Sequence, residues 1–148
     1  MFFYMEFVLY LCIMKIKLYT PMSELSLSQV RDICKFGIEF CSKELGVNRR
    51  HMDQISFSIR TDRRFRLIYY GEYCPIINRI YIFRNNIENV KDMIQVFIHE
   101  YTHSLQPIKT KYSKMLNQYG YDNHPHEIEA NRNADELYEK FFKLYSLK

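Results

Sequence analysis

Apolar residues recur at helical spacing in three stretches of the chain, which predicts three amphipathic helices. The first begins with a capping box at Ser26 and ends at the stop signal of Gly46. The second covers about residues 91–106 and is closed by Pro107, and the third begins at Pro125, which suits the first turn of a helix. The positions expected to face the core are Leu27, Val30, Cys34, Ile38, Cys41 and Leu45 in the first helix, Ile94, Phe97, Ile98, Tyr101 and Leu105 in the second, and Ala130, Ala134, Leu137, Phe141 and Leu144 in the third.

Between the first two helices the apolar and polar residues alternate, which predicts short strands. The segments are residues 54–60, 65–70 and 79–83, and they indicate a small sheet of about three to four strands. Gly71 and the Cys74-Pro75 step are expected to be breaks between them. One further helical stretch is expected around residues 112–116, inside a polar connection. The length of 148 residues suits one domain, which we assign to residues 14–148 with the fold class α+β.

The start of the chain is an apolar run. Residues 2–14 are apolar apart from Glu6, and the run is shorter than the roughly 18–20 residues that cross a bilayer. It lacks the basic flank and the small-residue cleavage site of a secretory signal. We interpret residues 1–13 as an apolar extension or start artefact ahead of a start at Met14, with a strand over residues 14–19; a short hydrophobic anchor is the alternative.

The composition is that of a folded protein, since 47% of the residues are hydrophobic and 26% are charged. The net charge of +4 is concentrated in residues 49–66, which hold six of the 21 basic residues and two of the 17 acidic ones. This arginine cluster is either a solvated surface or, with Phe65, Tyr69 and Tyr70 interleaved, a patch for nucleic acid. Its members are Arg49, Arg50, Arg60, Arg63, Arg64 and Arg66, of which the last four are the candidates for nucleic-acid contact.

The cysteines show neither a CxxC pair nor a metal-like spacing. We expect them to be small core residues of a protein in a reducing compartment, which favours a cytoplasmic location. The four are Cys12, Cys34, Cys41 and Cys74.

Residues 99–103 read His-Glu-Tyr-Thr-His, an HExxH motif inside the second predicted helix. His99 and His103 are four residues apart, so both imidazoles project from one helix face and can bind one metal ion. Glu100 is rotated by about 100° from His99, where its carboxylate can reach a water on the metal rather than the metal itself.

A catalytic zinc site needs a third protein ligand and one open position. The long metzincin pattern is excluded, because Gln106 and Lys109 stand where its glycine and its third histidine belong. On the wheel of the last helix, Glu127 lies at the edge of the apolar stripe, whereas Glu129 points away and is expected to be a solvated charge. Glu127 is therefore preferred as the third ligand, and His126 is the alternative.

Residues 127–134 read E-x-x-A-N-x-x-A and begin 24 residues after the second histidine of the HExxH motif. This pattern resembles the gluzincin-type zincins and is most similar to the ImmA/IrrE-like metallopeptidases. The resemblance covers about residues 76–140 and implies a minimal zincin fold, with a small sheet on the HExxH helix, a C-terminal glutamate helix and an N-terminal helix. It implies a zinc-dependent peptidase with Glu100 as general base. The zinc ligands that it implies are His99, His103 and Glu127.

Other side chains near the glutamate are candidates for an oxyanion donor or a substitute ligand, namely Tyr121, His124 and His126. Asn131, one turn beyond Glu127, is expected to hydrogen-bond a metal ligand. Since zincins commonly bind an extended peptide at a strand edge, the strand at residues 79–83 is expected to have that role.

Two other functions fit these residues. In one, the arginine cluster binds nucleic acid and the zinc is structural; in the other, the chain is a catalytically silent zincin-like binding protein. We expect the metallopeptidase, acting on a protein or peptide substrate.

Overall fold

A computed structural model describes residues 16–51, 53–61, 69–107 and 109–148 of the chain. The elements in these ranges confirm the α+β class, with four α-helices and a mixed sheet of three strands among the described residues. In chain order they are α1 (Leu27–Glu44), β1 (Ser56–Arg60), β2 (Gly71–Cys74), β3 (Arg79–Phe83), α2 (Val90–Leu105), α3 (Lys109–Tyr119) and α4 (Pro125–Tyr145).

The sheet has the strand order β1-β3-β2. β1 runs parallel to β3, and β2 runs antiparallel to β3 on its other side. Asn78, with a positive φ of 48°, lies in the turn that folds β3 back along β2. The prediction that residues 79–83 form an edge is therefore wrong, because both sides of this strand are paired.

The second predicted strand, residues 65–70, is displaced along the chain. Residues 65–68 lie outside the described residues, Tyr69 and Tyr70 belong to no strand, and the observed strand is β2. Gly71, which the sequence suggested as a break, is the first residue of β2. A Cβ atom there would lie 2.7 Å from Val96 Cγ1, so only glycine lets the strand approach α2 this closely.

The strand predicted for residues 14–19 is absent from residues 16–19, where the chain forms a turn. The Thr20 amide donates to the Lys17 carbonyl at 3.0 Å, and the Lys17 amide donates to Thr20 Oγ1 at 2.9 Å. The Lys91 amide then donates to the Leu18 carbonyl at 2.8 Å, which holds the turn against the start of α2. Met14 and the predicted extension, residues 1–13, lie outside the described residues.

The helix termini follow the sequence signals. Ser26 and Gln29 form the predicted capping box of α1, and Gly46 has the positive φ of 93° that ends the helix. Asn89 caps α2, whose amide at Asp92 donates to the Asn89 side chain at 3.1 Å. The helical stretch predicted within the polar connection is present as the longer helix α3.

Three helices share one apolar core, in which Phe36 and Phe40 of α1 each contact the Phe141 ring of α4 at 5.0 Å between centroids. Leu144 is 41% exposed, so its prediction as a core residue is wrong. The neighbouring Tyr145 takes the inward position instead, with its ring 5.5 Å from that of Phe36. Of the predicted core residues in the other helices, those fully or almost fully buried are Val30, Cys34, Cys41, Ile94, Phe97, Ile98 and Tyr101.

Helices α2 and α4 pack antiparallel and carry the functional residues between them. At one end Gln95 Nε2 donates to Asp135 Oδ1 at 2.9 Å, and at the other Gln106 Nε2 donates to Glu129 Oε2 at 2.9 Å. Ala130 is fully buried between these pairs, and its small side chain permits close helix packing.

Candidate metal centre

The two histidines of the HExxH motif occupy one face of α2, one turn apart. Their rings meet edge to face at 4.6 Å between centroids, and His99 Nε2 lies 2.9 Å from His103 Nε2. The helical spacing alone produces this proximity, as the sequence predicted.

The outer nitrogens of both rings are held by side-chain amides. His99 Nδ1 is 2.9 Å from Asn131 Oδ1, and His103 Nδ1 is 2.7 Å from Gln106 Oε1. An amide oxygen only accepts hydrogen bonds, so each Nδ1 donates and each Nε2 keeps its lone pair for a metal. The contact predicted for Asn131 is confirmed. That of Gln106 was missed, although its position three residues after His103 places it on the same helix face.

Glu127 reaches the same point from the first turn of α4. Its Oε2 atom lies 3.3 Å from His99 Nε2, and its Oε1 atom lies 3.5 Å from His103 Nε2. Burial acts to raise the pKa of Glu127, but the close imidazoles of His103 and His99, which attract the carboxylate when they are protonated, outweigh it and hold the pKa well below its usual range. The carboxylate is therefore ionised at neutral pH.

These three side chains form a group that could hold a metal ion, with one ligand atom from each and all of these atoms within 4.8 Å of one another. Two imidazole nitrogens and a carboxylate converge there, and a cation between them would relieve the mutual repulsion of their lone pairs. Glu127 Oε2 is buried and has no hydrogen-bond partner among the described residues, so one ligand atom is left open for such a cation.

Glu100 lies beside this group without being one of its ligands. Its side chain is almost completely buried, and burial raises the pKa of its carboxyl group against the opposing charges of His103 and His99. A hydrogen bond from the Tyr73 backbone amide in β2 favours the ionised form. Glu100 therefore has a raised proton affinity and a fixed position between α2 and the sheet.

Tyr112 is a contact of the centre that sequence reasoning missed. Its hydroxyl donates to Glu127 Oε1 at 2.9 Å, across the interface between α3 and α4. The sequence around it is polar and has no apolar period that distinguishes this tyrosine from its neighbours. Its place at the centre is decided by a tertiary contact, the hydrogen bond to Glu127.

His124 and His126 stay outside the group that could hold a metal. His124 is the N-cap of α4: its Nδ1 accepts from the His126 amide at 3.1 Å, and its Nε2 donates to the Tyr112 carbonyl at 3.1 Å. Both nitrogens of His124 are thus used within the fold. The His126 ring lies beside the Tyr112 ring, at 6.0 Å between centroids, and burial lowers its pKa.

Two other residues considered from the sequence lie at the rim of the centre. Tyr121 is 61% exposed, and burial of its hydroxyl together with the nearby charge of Glu127 raises its pKa to about 12, so it remains a hydrogen-bond donor. Glu129 is exposed, as the helical wheel predicted, and it also accepts a hydrogen bond from Gln106.

The described members of the arginine cluster include two with contacts inside the fold. Arg50 donates to the carbonyl of Gln106 at the C-terminal end of α2, where a positive charge is favourable. Arg60 lies over the Tyr81 ring at 4.9 Å. Arg63, Arg64 and Arg66 lie outside the described residues, so nucleic-acid binding by this cluster stays a prediction.

The comparisons with known proteins found no matching family model, no matching curated protein and no matching solved structure. The resemblance to metallopeptidases therefore rests on the two sequence motifs. Among the described residues, none of the helices combines the length and the apolar character that crossing a membrane requires.

Proposed function

We propose that this protein is a zinc-dependent metallopeptidase with a minimal zincin fold. The observation that supports this most strongly is the convergence of His99 Nε2, His103 Nε2 and the Glu127 carboxylate on one point. Two nitrogen ligands and one oxygen ligand are a common set for catalytic zinc, and three protein ligands leave a fourth position open. A purely structural zinc site closes that position with protein.

Zinc held by these side chains would supply Lewis-acid chemistry, namely the activation of water and the polarisation of a peptide carbonyl. Glu100 takes the proton from the attacking water and passes it to the leaving amine. Its burial supports this role, because the raised pKa makes the carboxylate a stronger base than one in free solution. Asn131 and Gln106 keep the two imidazoles in the orientation that the ligands need.

The substrate of the proposed reaction is an extended peptide that lies along β2. Among the described residues, β2 pairs with a strand on one side only, and the hydrogen bond from the Tyr73 amide to Glu100 brings its other side next to the base. Backbone hydrogen bonds to this edge position a peptide carbonyl while selecting little between side chains. The strand proposed to bind the peptide is therefore β2, and not β3, which the sequence predicted for this role.

Tyr121 and His126 are the candidates for donating a hydrogen bond to the oxyanion that develops on the carbonyl. The raised pKa of Tyr121 keeps its hydroxyl protonated, and the lowered pKa of His126 keeps its imidazole neutral with one N–H donor. The charge of Glu127 acts on both side chains, so both lie near this ligand, where a substrate carbonyl would approach.

The proposal is tested by measuring hydrolysis of a mixture of quenched fluorescent peptides before and after zinc removal. Activity should disappear after treatment with 1,10-phenanthroline and return with stoichiometric zinc, whereas the non-chelating isomer 1,7-phenanthroline should have no effect. Hydrolysis that persists without bound metal would contradict the proposal. Zinc-loaded protein that cleaves none of the peptides would instead favour a catalytically silent binding protein.

A further inference from the structure

Among the described side chains of helix α3, that of Tyr112 has the main contacts with the rest of the fold. Among its described side chains, only those of Tyr112 and Met115 are partly covered, and the others are exposed. Within that same part of the helix, Tyr112 makes the side-chain hydrogen bond that reaches another element. In the described part of α3, the contacts of Tyr112 therefore contribute most to docking the helix.

The contacts of Tyr112 are with the start of α4. Its hydroxyl donates to Glu127 Oε1 at 2.9 Å, and its carbonyl accepts from His124 Nε2 at 3.1 Å. Its ring stacks on the imidazole of His124, with 4.0 Å between centroids and an angle of 27° between the planes. The hydroxyl is thus fixed in direction by the stacked ring and by the backbone contact.

The Tyr112 contact makes the two oxygens of Glu127 different. Oε1 is occupied by the tyrosine hydroxyl, whereas Oε2 is buried and has no hydrogen-bond partner in the described part of the chain. We propose that Tyr112 is a positioning residue that holds Oε1, presents Oε2 to the metal, and so links the docking of α3 to metal binding. This inference rests on the metal centre of the proposed function, but not on peptide hydrolysis.

The link must act in both directions. If the hydroxyl of Tyr112 strengthens metal binding through Glu127, bound metal must strengthen the docking of α3 by the same factor. Loss of a hydrogen-bond partner of a metal ligand typically lowers metal affinity by about 10–100-fold. The same factor should therefore appear as a smaller equilibrium population of undocked α3 when the metal is bound.

The test compares the full chain with Tyr112→Phe and with the control Tyr119→Phe, an exposed tyrosine on the same helix. Phenylalanine keeps the ring that stacks on His124 and removes only the hydroxyl. Competition against a chromophoric zinc chelator should show zinc affinity about 10–100-fold lower for Tyr112→Phe and unchanged for the control. The absorption spectrum of bound Co²⁺ should change in Tyr112→Phe alone, because the coordination by Glu127 changes.

Hydrogen exchange provides a second measurement, made on the wild-type chain and on both variants. Zinc should slow amide exchange across α3 in the wild-type chain and in Tyr119→Phe, but not in Tyr112→Phe. Equal zinc affinity of Tyr112→Phe and wild type, or zinc-independent exchange of α3 in wild type, would overturn the inference. Peptide hydrolysis does not enter either readout, so an inactive protein that shows the predicted metal affinities would remove the peptidase and keep the role of Tyr112.

Discussion

Gly71 of β2 lies directly against Glu100 of α2, so that a Cβ atom on the glycine would be 2.9 Å from Glu100 Cγ. The close approach puts the edge of the sheet beside the proposed base. It also allows the next-but-one amide, that of Tyr73, to hydrogen-bond the Glu100 carboxylate. The distance between sheet and helix is thus set by the absence of a side chain at one position.

Gly71→Ala should therefore impair hydrolysis while leaving the metal ligands intact. The added methyl group would press on Val96 and Glu100 and push β2 away from the base, at a cost of about 1–3 kcal/mol in stability. We expect a lower melting temperature, a lower kcat/KM and an unchanged zinc content. The control is Glu72→Ala, an exposed position of the same strand. Full activity of Gly71→Ala would show that the contact has no functional role.

Gln106→Ala should weaken metal binding, because Gln106 accepts the Nδ1 proton of His103 and also bridges to the start of α4. The expected loss is about 10–100-fold in zinc affinity, measured by chelator competition. Gln118→Ala, at an exposed position of α3, should leave the affinity unchanged. An unchanged affinity in Gln106→Ala would mean that the imidazole keeps its orientation without the amide.

Zinc should stabilise the fold, since its ligands come from two different helices, His99 and His103 on α2 and Glu127 on α4. At a free zinc concentration 100-fold above the dissociation constant, linkage predicts about 2.7 kcal/mol, or roughly 5–10 °C in melting temperature. Calorimetry should show this shift in the wild-type chain and in Glu136→Ala, and a much smaller one in Glu127→Ala. An equal shift in Glu127→Ala would remove Glu127 from the ligand set.

The described thiols should differ sharply in reactivity. Cys34 and Cys41 are completely buried, and burial raises the pKa of both thiols, whereas Cys74 is partly exposed. Iodoacetamide followed by peptide mapping should modify Cys74 in the native protein and reach Cys34 and Cys41 only after denaturant is added. Rapid native modification of Cys34 would contradict the packing of α1 described above.

Local signals predicted the parts of this fold that depend on neighbouring residues. The capping box at Ser26, the helix start at Pro125 and the facing histidines are all decided within one or two helical turns. Local signals could not predict the strand order, because the order depends on the pairing of β1 and β2 with β3, which is distant from β1 in the sequence. The prediction that Gly71 breaks a strand was wrong for the same reason. A glycine is required there by contact with a helix about 25–30 residues away in the chain.

Some residues of the candidate centre could likewise be predicted from local signals, and others could not. The spacing of His99 and His103 and the helical wheel for Glu127 brought together the residues that meet in the structure, and Asn131 follows from its place one turn after Glu127. Tyr112 was missed because its contact with Glu127 is made between two helices joined by a polar segment without periodicity. Pattern reasoning thus finds ligands on regular helices more readily than the side chains that hold those ligands from elsewhere.

The proposed peptidase is tested most directly by the variant Glu100→Gln, with zinc content and peptide hydrolysis measured on the same preparation. Glutamine preserves the shape of the side chain and removes its ability to accept a proton. We predict wild-type zinc content and a fall in kcat/KM of about 10²–10⁴-fold, with Glu136→Gln as an unaffected control. Wild-type hydrolysis by zinc-loaded Glu100→Gln would contradict the account.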